Sequence, residues 1–226
     1  MFERLEKIID NDDITRLKNT SVLVVGVGGV GGYVVESLVR SGIGKIIIID
    51  KDVVDITNKN RQIIALDSTI GKSKVDVMKE RINDINKECE VITYNEFLNL
   101  DNTYEIIKEN NPDYVVDACD TITTKKEIIR TCVDLNIELI SCMGTGNRFD
   151  PSKLEIIDLR KTSYDPIAKI LRKYIKDERI NKKIYVLCSK EESVKIGDRT
   201  PGSTGFVPPS AGLLIASFIF RKIINK

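Results

Sequence analysis

The sequence predicts an α/β protein, a doubly wound and mainly parallel sheet followed by a smaller C-terminal strand-and-helix extension. Three observations carry that prediction. Short β-branched runs alternate with helical patterns through the first 142 residues. A glycine-rich loop follows the first of these runs directly. The alternation then breaks off after Asp150-Pro151. Alternating β and α segments build parallel sheets covered by helices on both faces.

The strand-like runs are residues 22–26, 45–50, 90–94, 114–118 and 138–142. Most are apolar throughout, as strands buried on both faces are. Residues 33–40 form a helical run after the glycine loop. Val75, Met78, Ile82 and Ile85 mark an apolar face at helical spacing, and Ile128, Ile129, Cys132 and Leu135 mark another. Beyond residue 150, residues 154–159 read as an edge strand, 166–180 as a basic helix, 184–187 as a further strand and 190–205 as a long polar loop. Pro208-Pro209 then introduces an apolar helix that ends near Ile224. No repeat or low-complexity linker divides the chain, so residues 1–226 read as one domain, a core of 1–150 and an extension of 151–226.

Composition narrows the chemistry. At 226 residues, with 42% hydrophobic and 31% charged, the chain can bury one large core. It has no histidine, which excludes a Ser-His-Asp triad, an imidazole base and any His metal site. Five cysteines without a C-x-x-C pair argue against a disulfide framework and against zinc. The start carries Glu3 and Glu6, and the longest apolar run, 211–220, falls short of the roughly 20 residues of a membrane span. A cytoplasmic location is the expectation. The net charge of +1 is uneven: residues 151–200 hold 13 Lys and Arg against 8 Asp and Glu. That excess suits a polyanionic partner or a solvated helix face.

The loop G-V-G-G-V-G places Gly26, Gly28, Gly29 and Gly31 between a strand and a helix. Glycines let the backbone turn tightly and approach an anionic phosphate, and the helix N-terminus adds partial positive charge. The second strand ends in Asp50, which is placed to accept hydrogen bonds from ribose hydroxyls. This is a Rossmann-like nucleotide site, and the loop alone leaves the nucleotide open, with a dinucleotide the commoner answer. The following segment favours nucleotidyl transfer. Arg61 and Lys74 can offset charge that builds up as pyrophosphate leaves, and Asp120 is a hard oxygen ligand of the kind Mg²⁺ prefers. The plainer alternative makes Arg61 and Lys74 surface charges and Asp120 a helix cap.

Taken together, G-V-G-G-V-G (26–31), D-K-D-V-V-D-I-T-N-K-N-R-Q (50–62), G-K-S-K (71–74) and D-A-C-D (117–120) resemble the ubiquitin-activating-enzyme-like, ThiF-type adenylating proteins over nearly the whole chain. The resemblance implies ATP and Mg²⁺ as ligands, and leaves room for a monovalent cation. It implies that Asp50 holds the ribose, with Asp52 in the same nucleotide-binding set. It implies that Asn58, Arg61 and Lys74 contact the phosphates with Gln62 beside them, and that Asp120 positions Mg²⁺. It also implies a homodimer in which Arg4 reaches the phosphates of the partner's site.

Five further segments resemble the branch of this family that dehydrates threonylcarbamoyladenosine in tRNA: 60–66, 77–86, 141–151, 158–168 and 202–212. That branch adenylates the threonyl carboxylate and closes a ring with loss of AMP. The resemblance gives Lys169, Arg172, Lys173 and Lys176 a role as tRNA contacts. Two other readings stand beside it. One is adenylation of the C-terminus of a ubiquitin-like sulfur carrier, which a diglycine-tailed partner would favour. The other is a nucleotide-sensing module without catalysis, which would bind ATP and exchange no pyrophosphate. Cys142 and Cys188 read either as small core residues or as sulfur-relay groups, since some family members work with a cysteine desulfurase system. The C-terminal helix reads as packed on the sheet, with a peripheral membrane contact as the alternative.

Overall fold

The computed structural model describes residues 1–194 and 201–226. The chain begins with α1 (Asn11–Lys18), β1 (Ser21–Val25), α2 (Gly31–Arg40) and β2 (Lys45–Ile49). A long irregular connection leads to α3 (Lys74–Ile85) and β3 (Glu90–Tyr94). Then follow α4 (Thr103–Asn110), β4 (Tyr114–Asp117), α5 (Ile122–Asp134) and β5 (Glu138–Cys142). The remainder supplies β6 (Leu154–Asp158), α6 (Pro166–Asp177), β7 (Tyr185–Ser189) and α7 (Val207–Ile223).

Among the described residues, seven strands join one sheet in the order β3-β2-β1-β4-β5-β7-β6. Every pairing is parallel except that of β6 with β7. The strands alternate strictly between two cores. Val22 and Val24 of β1 face a layer formed with α2, α3 and α7, while Leu23 and Val25 face a layer formed with α4, α5 and α6. The runs are apolar throughout because both faces of the sheet are covered. The extension completes this sheet, since β7 lies against β5 and carries β6 on the edge.

Several boundaries move from the sequence reading, each for a local reason. β1 stops at Val25 because Gly26 takes φ +91°, outside the strand region. The basic helix stops at Asp177 and does not reach residue 180. Arg179 is left-handed at φ 54°, and the Ile180 amide closes back onto the Ile175 carbonyl. Helices α1 and α4 carry no clear sequence signal; both are only 8 residues long and hold few apolar positions. Of the polar loop expected at 190–205, residues 195–200 lie outside the described residues. Helix α7 packs against α2 so closely that a Cβ on Gly212 would meet the Val30 carbonyl at 2.4 Å. Among the described residues no helix is long and apolar enough to cross a membrane.

Candidate active site

A cleft of about 700 Å³ opens at the C-terminal ends of β1, β2, β4 and β5. Strand order reverses there, between β1 and β4, which is where open α/β sheets bind ligands. Of the residues the sequence singles out for the nucleotide, Gly26, Gly28, Gly29, Asp50, Asp52, Asn58, Arg61, Gln62, Lys74 and Asp120 all line it.

The glycine loop is built by close approach. Gly26 has φ +91°, and a Cβ there would meet the Ala118 carbonyl at 2.9 Å. Gly31 does not itself line the cleft, and a Cβ on it would sit 1.8 Å from the Gly26 carbonyl. It is the glycine that lets α2 turn tightly out of the loop. Asp50 fixes the loop from below: its carboxylate accepts the Val27 amide at 2.7 Å and the Asp52 amide at 2.9 Å.

Two of the expected cations line the same cleft. Lys74, the first residue of α3, is buried and pairs with the Asp52 carboxylate at 2.9 Å. A buried ammonium in a cleft is not a surface charge, so the plainer alternative fails for this residue. Arg61 lies over Gly29, and its Nη1 donates to the Thr57 carbonyl and to Asn60 Oδ1 at 2.9 and 3.0 Å. Asn58 is buried, its Oδ1 accepting the Asp55 amide at 3.1 Å. Gln62 is also buried, and its Oε1 has no hydrogen-bond partner among the described residues. Asn60 also holds residue 203, which lines the cleft, through a 2.9 Å bond to the Ser203 carbonyl.

Asp120 is exposed and accepts the Thr121 hydroxyl at 3.4 Å. The N-cap position of α5 is Thr121, so Asp120 does not cap that helix. Among the described residues no group of three or more Asp, Glu, Cys or His could hold a metal by itself.

Five expected site residues lie away from the cleft. Arg4 is exposed and lines no part of the cleft. Its segment is anchored by Phe2 against Gly42, at the opposite end of the sheet. Lys169, Lys173 and Lys176 are exposed on α6 at i, i+4 and i+7, one face of the helix. Arg172 is half-buried and donates to the Thr162 carbonyl and hydroxyl, which removes it from that exposed face.

Sequence reasoning missed what lies under the floor. Lys125 and Asp117 form a fully buried ion pair at 3.0 Å, with Ser141 bonded to the same carboxylate. Lys125 falls at helical spacing with Ile128, Ile129 and Cys132, so a charge on an apolar stripe was there to be read. A second buried pair, Arg148 with Asp165 at 3.2 Å, ties the 144–148 loop to the start of α6. Burial pushes the Cys142 thiol up to about 12 and the Cys188 thiol up to about 11. Neither is the low-pKa thiolate that covalent or relay chemistry uses.

Residues 2–183 match the family model described as ThiF family. The chain belongs to the ThiF family. A relative in Bacillus subtilis (strain 168), a tRNA threonylcarbamoyladenosine dehydratase, is 42% identical over 241 aligned residues, covering 99% of this chain and 94% of the relative. The Escherichia coli tRNA N6-threonylcarbamoyladenosine dehydratase, TcdA, has been solved in complex with ATP. It superposes with a TM-score of 0.93 at 33% identity, covering 99% of this chain and 93% of that one. The same enzyme in complex with AMP gives a TM-score of 0.91. This ThiF-family chain therefore shares with them the whole sheet and both helical layers, and not the glycine-loop half alone.

Proposed function

We propose that this chain uses ATP to remove one water from threonylcarbamoyladenosine in tRNA. The observation that carries the reading is the single cleft holding a glycine loop, Asp50, Arg61, Lys74 and Asp120 at the strand-order reversal. The near full-length likeness to dehydratases, one of them solved with ATP, supports it.

The amides of the glycine loop and the N-terminus of α2 face the phosphates, and Asp50 takes the ribose. The threonyl carboxylate attacks the α-phosphorus, and pyrophosphate leaves with the electrons of the broken P–O bond. Arg61, Lys74 and Asn58 stabilise the charge that gathers on the leaving group. Asp120 provides the carboxylate for Mg²⁺, which supplies further charge neutralisation when bound. The carbamoyl group of the same side chain then attacks the acyl carbon. AMP leaves, a proton is released and the ring closes. Holding both reacting groups on one side chain contributes up to about 7–11 kcal/mol, so no strong protein nucleophile is needed. The active species is a cytoplasmic homodimer, with Arg4 supplied from the partner subunit. Lys169, Lys173 and Lys176 hold the tRNA backbone.

The test is mass spectrometry of tRNA nucleosides after incubation with protein, ATP and Mg²⁺. The expected result is a loss of one water from threonylcarbamoyladenosine. No loss there, with pyrophosphate exchange on a diglycine-tailed carrier instead, would overturn the reading.

A further inference from the structure

We propose that the buried cluster of Lys125, Asp117 and Ser141 sets the two walls of the cleft in register, which makes Lys125 a positioning residue for adenylation. The inference rests on the reading above. Lys125, Asp117 and Ser141 are each 0% exposed. The Lys125 ammonium donates to both Asp117 oxygens at 3.1 and 3.0 Å, to the Cys142 carbonyl at 2.8 Å and to Ser141 Oγ at 3.4 Å. The Ser141 hydroxyl donates to Asp117 at 2.5 Å, and the Cys119 amide does so at 3.3 Å.

These bonds join the end of β4, the first turn of α5 and the end of β5. Each element continues directly into the cleft lining: residues 118–121 on one wall and 142–146 on the other. The first wall presents Asp120. The second belongs to the extension side, which is held by the Arg148–Asp165 pair. Asp50, Arg61 and Lys74 stand just beyond the end of β2, on the connection after it and on α3. ATP is thus held by one set of elements, and the Lys125 cluster aligns the remaining walls against it.

The cluster is a poor device for stability. Burying two charges is costly, and apolar residues of similar volume are often as stable or more so. Its placement directly beneath both walls accounts for it as a register pin. Near-attack geometry is steep in distance, so a small slip between the walls slows chemistry without releasing ATP.

The test replaces the whole cluster by apolar groups in Asp117→Leu/Lys125→Met/Ser141→Ala, so that no unpaired charge is left behind. ATP affinity is read by calorimetry, folding by thermal melting and kcat by water loss from threonylcarbamoyladenosine in tRNA. The expected result is a cooperative melt, ATP affinity within about three-fold of wild type and kcat down about ten-fold or more. Wild-type kcat in a folded triple variant overturns the proposal. Should the triple variant not fold, Ser141→Ala decides, because it leaves the ion pair in place. Its kcat should fall by about two- to five-fold at unchanged ATP affinity, and an unchanged kcat overturns the proposal. A wild-type chain that removes no water overturns the reading and the inference together, before any variant is compared.

Discussion

The carboxylate of Asp50, just beyond the end of β2, accepts the amide of Val27 in the glycine loop at 2.7 Å. One residue therefore shapes the loop and faces the cleft the loop lines. Asp50→Ala should weaken ATP binding by about ten-fold or more, which is about 1.4 kcal/mol. Calorimetry checks it. Wild-type affinity in a folded variant would remove Asp50 from the nucleotide site.

Arg61 covers Gly29 and is held by Thr57 and Asn60, so it stays in place without ligand. On the proposed reading, its charge matters most as pyrophosphate departs. Arg61→Ala should lower turnover by about ten-fold or more while changing ATP affinity much less. Equal losses in both would make it a binding residue alone.

The cations of α6 form one exposed stripe, Lys169, Lys173 and Lys176, with Arg172 turned away to Thr162. Replacing the three lysines together by Ser should weaken tRNA binding and flatten its salt dependence by about two log–log slope units. ATP binding should survive, because none of the three lines the cleft. Titrations at several salt concentrations check both. An unchanged slope would make this a solvated face.

Glu36 on α2 bonds Arg81 of α3 at 2.6 and 3.0 Å, and Arg40 at 2.7 Å. Burial pushes its carboxyl up, but the hydrogen bonds from Arg81 and Arg40 outweigh burial and hold it below its ordinary value. A carboxyl lowered by folding contributes stability above its unfolded pKa, about 4.3, and loses it as pH falls through the folded value. Glu36→Gln should therefore melt below wild type at pH 7, and the gap should close on acidification below about pH 4. A gap that stays constant with pH would assign the loss to packing instead of charge.

The sequence by itself determined the fold class and named most of the charged and glycine residues that line the cleft, because those features are local. Alternating apolar runs set the doubly wound class, and G-V-G-G-V-G marks a loop in which Gly26 and Gly31 leave no room for a Cβ. Asp50, Arg61 and Lys74 could be read because each follows a recognisable turn or strand end at short spacing. Tertiary structure decided what depends on contacts across the chain. It gave Gly31 a packing role against the Gly26 carbonyl, 5 residues earlier but reached only through the turn of the loop. It turned Arg172 onto Thr162 and took it out of the α6 stripe. It brought Lys125 and Asp117 together beneath the cleft with Ser141, from a helix and two adjacent strands. A charge on an apolar stripe can be seen in a sequence. The carboxylate that makes its burial tolerable is known only once the strands are paired, since an unpaired buried charge is unstable and the partner's position is set by the sheet.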